Sequence, residues 1–106
     1  MLRISETRKQ VANRLRELFH RAQEWQEFLD SHVGEQTVDI LVRFQIGGDV
    51  KTIVCEVRGD GQPKTVREAL TRLRSLREHV HGSYGLFGAP YVSPQSAQLL
   101  RNNGCG

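Results

Sequence analysis

Three residues of this chain combine type and spacing in a way that could do chemistry: Asp39, Glu56 and Arg58. Two carboxylates can hold a hard divalent cation such as Mg2+, which prefers carboxylate oxygens and waters as ligands. The ion would polarise a phosphate oxygen and activate a water molecule. A side-chain cation nearby would offset the negative charge that builds up in the transition state. In that arrangement Asp39 and Glu56 are the metal ligands and Arg58 is the charge stabiliser. The same residues can instead form a cross-strand ion pair on a sheet face, worth under about 1 kcal/mol if exposed. Which of the two holds depends on the elements that carry them.

Those elements lie between Thr37 and Pro63. From Val38 to Ile46 the sequence alternates, with Val38, Ile40, Val42, Phe44 and Ile46 on one side and Asp39, Leu41, Arg43 and Gln45 on the other. Gly47-Gly48-Asp49 is a turn signal, and a second strand follows from Val50 to Arg58. A two-residue loop at Gly48-Asp49 pairs Ile40 with Val57, Val42 with Cys55 and Phe44 with Ile53. A three-residue loop would set Ile40 against Glu56 and Asp39 against Val57, which buries a carboxylate in the apolar set. The two-residue loop is therefore expected, with Gly48 supplying the positive φ of a type II′ turn. It places Asp39 across from Arg58 and Glu56 on the adjacent diagonal, within side-chain reach.

Around this hairpin the chain reads as an α/β domain. Thr7 with Gln10 suggests a capping box. Val11, Leu15, Leu18, Phe19, Ala22, Trp25 and Leu29 then recur at three- and four-residue steps, which predicts a long N-terminal helix of about seven turns ending near Ser31–Gly34. Its first turns are expected to project toward a partner. Trp25 and Phe28 are expected in a core or dimer contact rather than as a stacking platform for bases. After the hairpin, Pro63 opens a second helix with Val66, Ala69, Leu70, Leu73, Leu76 and Val80 as its apolar stripe. It is the most basic segment, with Lys64, Arg67, Arg72, Arg74 and Arg77. An apolar strand at Tyr84–Ala89 completes a β-α-β crossover, which implies parallel strands. Ser93 caps a short C-terminal helix with Pro94 at its first position. The chain ends soon after Asn102-Asn103-Gly104, which suggests a domain cut short at its C-terminus.

At 106 residues with 38% hydrophobic content, residues 1–106 are expected to form one domain, and a domain this small often gains stability as a homodimer. Net charge is +3 and the pI is about 9.2, which suits a polyanionic partner such as DNA. No apolar run is long enough to span a membrane, and MLRISETRKQ carries no apolar signal core, so a cytoplasmic location is expected. Cys55 and Cys105 form no Cys-x-x-Cys pair and are expected as reduced thiols. The four histidines are not spaced with acidic partners as metal ligands.

The order of helix, strand with Asp39, strand with Glu56-Val57-Arg58, basic helix and strand resembles the core of the PD-(D/E)xK nuclease superfamily, the restriction-endonuclease-like fold. Asp39 matches the isolated Asp of that motif and Glu56-Val57-Arg58 its Glu-x-Lys. The segments EVRGDGQPKTVREALTRL and YGLFGAPYVSPQSAQLLRNNG resemble uncharacterised bacterial nuclease-like domains. The resemblance implies Mg2+-dependent hydrolysis of DNA, with Asp39, Glu56 and Arg58 as catalytic residues and Lys64, Arg67 and Arg74 on the nucleic-acid backbone. Two positions depart from the pattern. Arg58 stands where lysine is preferred, and arginine stays protonated and cannot readily act as a base. Arg72 stands near a position where many members carry glutamine. Either departure would suit a descendant that binds nucleic acid or dimerises without catalysis.

Overall fold

The structure, a computed structural model, describes residues 4–106. The sequence reading of the N-terminal segment therefore rests in part on residues 1–3, outside the described residues. The elements are α1 (Ile4–Leu18), β1 (Gln23–Val33), β2 (Gln36–Ile46), β3 (Asp49–Val57), α2 (Pro63–His79), β4 (Tyr84–Gly88) and α3 (Pro94–Asn102). The four strands form one mixed sheet in the order β1-β2-β3-β4. The first three are antiparallel, and β4 runs parallel to β3 across the α2 crossover. No helix among the described residues is long and apolar enough to cross a membrane.

Each face of the sheet builds its own core. Ala12 and Leu15 of α1 pack on Ile40, Val42, Phe44, Ile53, Cys55 and Val57. Val66, Ala69, Leu70, Leu73 and Leu76 of α2, with Leu100 of α3, pack on Val38, Val54 and Phe87. The alternation of β2 and β3 is thus read from both sides of the sheet: Ile53, Cys55 and Val57 of β3 face α1, whereas Val54 faces α2.

The first helix is much shorter than its periodicity predicts. It is already running at Ile4, so Thr7 lies inside it, 1% exposed, and is no N-cap. It stops at Leu18, and the residues expected to continue it form β1. The spacing of Phe19, Ala22 and Trp25 suits a helix, but Phe19 and Trp25 instead close an aromatic cluster with Phe44, at ring-centroid distances of 5.3–6.2 Å. The charges expected on a solvated helix face are cross-links. Arg8 of α1 donates to Asp30 at 2.6 Å, and Arg16 pairs with Glu27 through both carboxylate oxygens. Edge pairing with β2, the aromatic cluster and these bridges outweigh the local helix propensity of the segment. Gly34, expected as a helix end, has φ 62° in the two-residue turn that joins Val33 to Gln36.

The hairpin register also differs, by two residues. Ile46 pairs with Asp49, Phe44 with Lys51, Val42 with Ile53 and Ile40 with Cys55. The loop is Gly47-Gly48, with φ of 59° and 86°. Two positive φ values are the type I′ pattern, which two glycines meet at no steric cost and whose twist matches the strands. Because the shift is even, Ile40, Val42 and Phe44 keep their predicted face with Ile53, Cys55 and Val57, whereas Val38, beyond the last β2–β3 pair, packs with Val54 on the α2 side.

The remaining elements agree closely with the sequence. The Ser93 hydroxyl accepts from the Ser96 amide at 3.1 Å, with Pro94 opening α3. Between β3 and α2 the chain passes Gly61, which bridges Val92. A Cβ on Gly61 would lie 2.1 Å from the Tyr91 carbonyl oxygen, whereas one on Gly59 would meet nothing within 4 Å. Gly61→Ala is therefore expected to destabilise the domain by about 1–3 kcal/mol, as overpacking does, and Gly59→Ala by much less. Urea unfolding of both variants checks this, and equal midpoints would refute it.

Candidate functional site

The site forms where β2 and β3 separate. Their paired register ends at Ile40 and Cys55. Beyond it, the Val57 amide donates to Asp39 Oδ2 at 2.8 Å instead of to a strand carbonyl. On its other side β3 continues to pair with β4, and the Arg58 amide donates to the Gly88 carbonyl at 2.9 Å. Asp39 thus satisfies a backbone donor that the parting strands leave open. It is brought beside Glu56, and both sequence-predicted carboxylates meet at one place.

Arg58 lies between them. Its Nη1 is 2.9 Å from Glu56 Oε2, 3.2 Å from Asp39 Oδ2 and 3.0 Å from the Val57 carbonyl oxygen. The sequence register sets Asp39 directly across from Arg58. The two-residue shift replaces that simple pair with a three-oxygen cradle. Arg72 of α2 completes the cluster, with Nε 3.1 Å from Glu56 Oε1 and Nη2 donating to the Thr37 carbonyl at 2.6 Å.

Glu56 is 1% exposed, whereas about a quarter of the Asp39 and Arg58 side chains remains open to solvent. Burial pushes the Glu56 carboxyl above its usual range, as does the neighbouring Asp39, and the Arg58 guanidinium only partly opposes them. Cys55, fully buried one residue away, is pushed up to about 12 by burial and by the two nearby carboxylates. It is a core thiol and no nucleophile. Both cysteines are free, as expected.

The other predicted site residues stand apart. Lys64, Arg67 and Arg74 are exposed on α2 and share one stripe at helical spacing. That stripe is turned away from Arg72. Arg74 lines a separate cavity of about 450 Å3 together with Arg77, Ser83 and Cys105. The acidic centre draws its cations from Arg58 and Arg72 instead. In the sequence, Arg72 is legible only as a departure from a family pattern. Its signal is positional: it flanks the buried stripe between Ala69 and Leu76, facing a carboxylate that needs a second partner.

Among the described residues, no group of three or more His, Cys, Asp or Glu side chains gathers as a metal centre. The third oxygen here belongs to the backbone. Two carboxylates and a carbonyl are hard donors of the kind that suits Mg2+, so the donor set fits the ion by chemistry. The point on which the donors converge is held by the guanidinium nitrogen.

Neither a family model nor a curated relative matches this chain. Solved structures do. EndoMS in complex with double-stranded DNA aligns over 99% of this chain at 20% identity and a TM-score of 0.63. A repair endonuclease from Pyrococcus abyssi aligns over 90% at 18% identity and a TM-score of 0.62. Likeness at this level of identity shows a shared fold. The chain spans 44% and 42% of those proteins' lengths. This chain therefore shares its fold with part of each of these two proteins.

The raised carboxyl of Glu56 sets the sign of a pH effect. Its folded pKa exceeds the ordinary 4.5, so between those two values the folded state holds a proton that the unfolded state has lost. Stability from this group is full below the ordinary value and declines as pH rises through the folded one. The stability of the native chain relative to Glu56→Gln should therefore fall as pH rises from about 4.5. Urea midpoints across that range measure it, and a pH-independent difference would refute it.

Proposed function

We propose that this domain is a divalent-metal-dependent nuclease of the PD-(D/E)xK type acting on DNA phosphodiester bonds. The observation that carries the reading is the convergence of Asp39 and Glu56 where β2 and β3 part, on a fold shared with repair endonucleases. Asp39 and Glu56 would hold Mg2+, which supplies an activated water and a Lewis acid for the phosphate oxygen. Arg58 would stabilise negative charge on the scissile phosphate. It cannot take a proton, because guanidinium stays charged. Lys64, Arg67 and Arg74 would contact the DNA backbone as a stripe of exposed cations.

A second reading is favoured by the Arg58 contacts. With the guanidinium fixed on both carboxylates, the same domain would bind DNA without cutting it. Cleavage of duplex DNA in Mg2+ or Mn2+ separates the two. The first reading expects metal-dependent cleavage that falls by about a hundredfold or more in Asp39→Asn. Retained DNA binding without cleavage would establish the second. In either case, replacing Lys64, Arg67 and Arg74 with alanine should lower the salt slope of DNA binding by about one per cation removed. An unchanged slope would exclude that stripe.

A homodimer is also part of this reading. The support for it now lies at the sheet edge, where β1 exposes Phe28 and Leu29, rather than in the first helix. Sedimentation equilibrium reads the mass directly. A monomer throughout the accessible concentration range would remove this element.

A further inference from the structure

We propose that Arg58 is a built-in cation that competes with the divalent metal for the acidic centre, so that metal binds only as the guanidinium withdraws. The inference rests on the metal-site reading above and deepens it. Three observations support it.

The first is position. One nitrogen, Arg58 Nη1, lies within 3.2 Å of an oxygen of Asp39, an oxygen of Glu56 and the carbonyl of Val57. Any ion that uses these three oxygens together must take that place.

The second is hydrogen-bond capacity. Nη1 carries two hydrogens but faces three acceptors, so it cannot serve all of them fully. The contact to Asp39 Oδ2 is the longest of the three. A dication accepts several oxygen ligands at once and has no such shortfall.

The third is charge. Glu56 is 1% exposed and cannot stay ionised without a cationic partner. Arg72 supplies one at Oε1, and Arg58 is the partner at Oε2 that Asp39 also uses. Arg58 is about a quarter exposed, so its side chain has a path toward solvent. The Arg72 guanidinium is also held by the Thr37 carbonyl. Of the two arginines, Arg58 is the one whose loss would open the place where the carboxylates meet.

Competition of this kind has a measurable signature. If only the withdrawn fraction of molecules can bind metal, the apparent dissociation constant is raised by the reciprocal of that fraction. Removing the competing cation should then tighten metal binding. A side chain that merely stabilises the site would, on removal, weaken metal binding or leave it unchanged.

The test is Mn2+ titration calorimetry on the full chain, on Arg58→Met, which keeps most of the length without the charge, and on Asp39→Asn. The expected result is that Arg58→Met binds Mn2+ at least about tenfold tighter than the native chain, and that Asp39→Asn binds far more weakly. Thermal unfolding with and without Mn2+ gives a second readout. Arg58→Met should be less stable than the native chain without metal, and should gain more from Mn2+. Arg58→Gln serves if the Met variant does not fold. Equal or weaker Mn2+ binding without Arg58, with Asp39 still required, overturns the competition and leaves the metal site standing. Absence of Mn2+ binding in every variant overturns both.

Discussion

A buried carboxylate at the end of a central strand constrains the rest of this structure. Glu56 lies on β3, between β2 and β4, and is almost wholly covered. An isolated buried charge costs several kcal/mol, so its surroundings must supply partners. Arg58 comes from the end of the same strand and Arg72 from α2. Arg72 also takes the Thr37 carbonyl at the start of β2, so a single guanidinium links the helix layer to two strands. Asp39 fits into the same network by accepting the Val57 amide. The crossover helix, the parted strands and the acidic centre are thus parts of one electrostatic arrangement.

Much of this was legible in the sequence, because strand alternation has a period of two and is hard to mistake where it is strict. The alternation from Val38 to Ile46 in β2, and the apolar positions Ile53, Cys55 and Val57 in β3, specify which side chains share a face. Those faces survive a two-residue error in register, except at Val38, which lies past the last β2–β3 pair and packs toward α2. The error came from turn chemistry. Gly47 and Gly48 both accept positive φ, so the type I′ turn was available, and the signal Gly-Gly-Asp does not say which pair closes it. Capping and proline signals at Ser93, Pro94 and Pro63 are local, and the helices start where those signals place them.

Residues 19–33 were the least legible stretch, for a physical reason. No proline or glycine interrupts the chain between Leu18 and Gly34, and Phe19, Ala22, Trp25 and Phe28 at three-residue steps satisfy helix and irregular strand alike. β1 is an irregular strand, with Glu24 and Asp30 at positive φ and a shifted register near its start. Its place is set by distant groups: the open edge of β2, Phe44, and Arg8 and Arg16 on α1. Such interactions leave no periodic trace. Arg72 was hidden in the same way, since its role is defined by a carboxylate sixteen positions away in the chain.

The identity of the residue at position 58 bears on what the site can do. A guanidinium is planar, permanently charged and presents five donors, so one side chain can bridge two carboxylates and a carbonyl. A lysine ammonium is a compact, strongly hydrated charge on a flexible stem, with three donors that rotate freely. Arginine therefore holds the acidic centre in a defined arrangement and neutralises it strongly in the absence of metal. On the proposed metal site, the properties that make it a good structural counter-ion would also make it a strong rival for an incoming dication. A fold shared with nucleases does not decide between these roles, because activity resides in the site. Here the balance depends on how readily one partly exposed side chain gives up three oxygens.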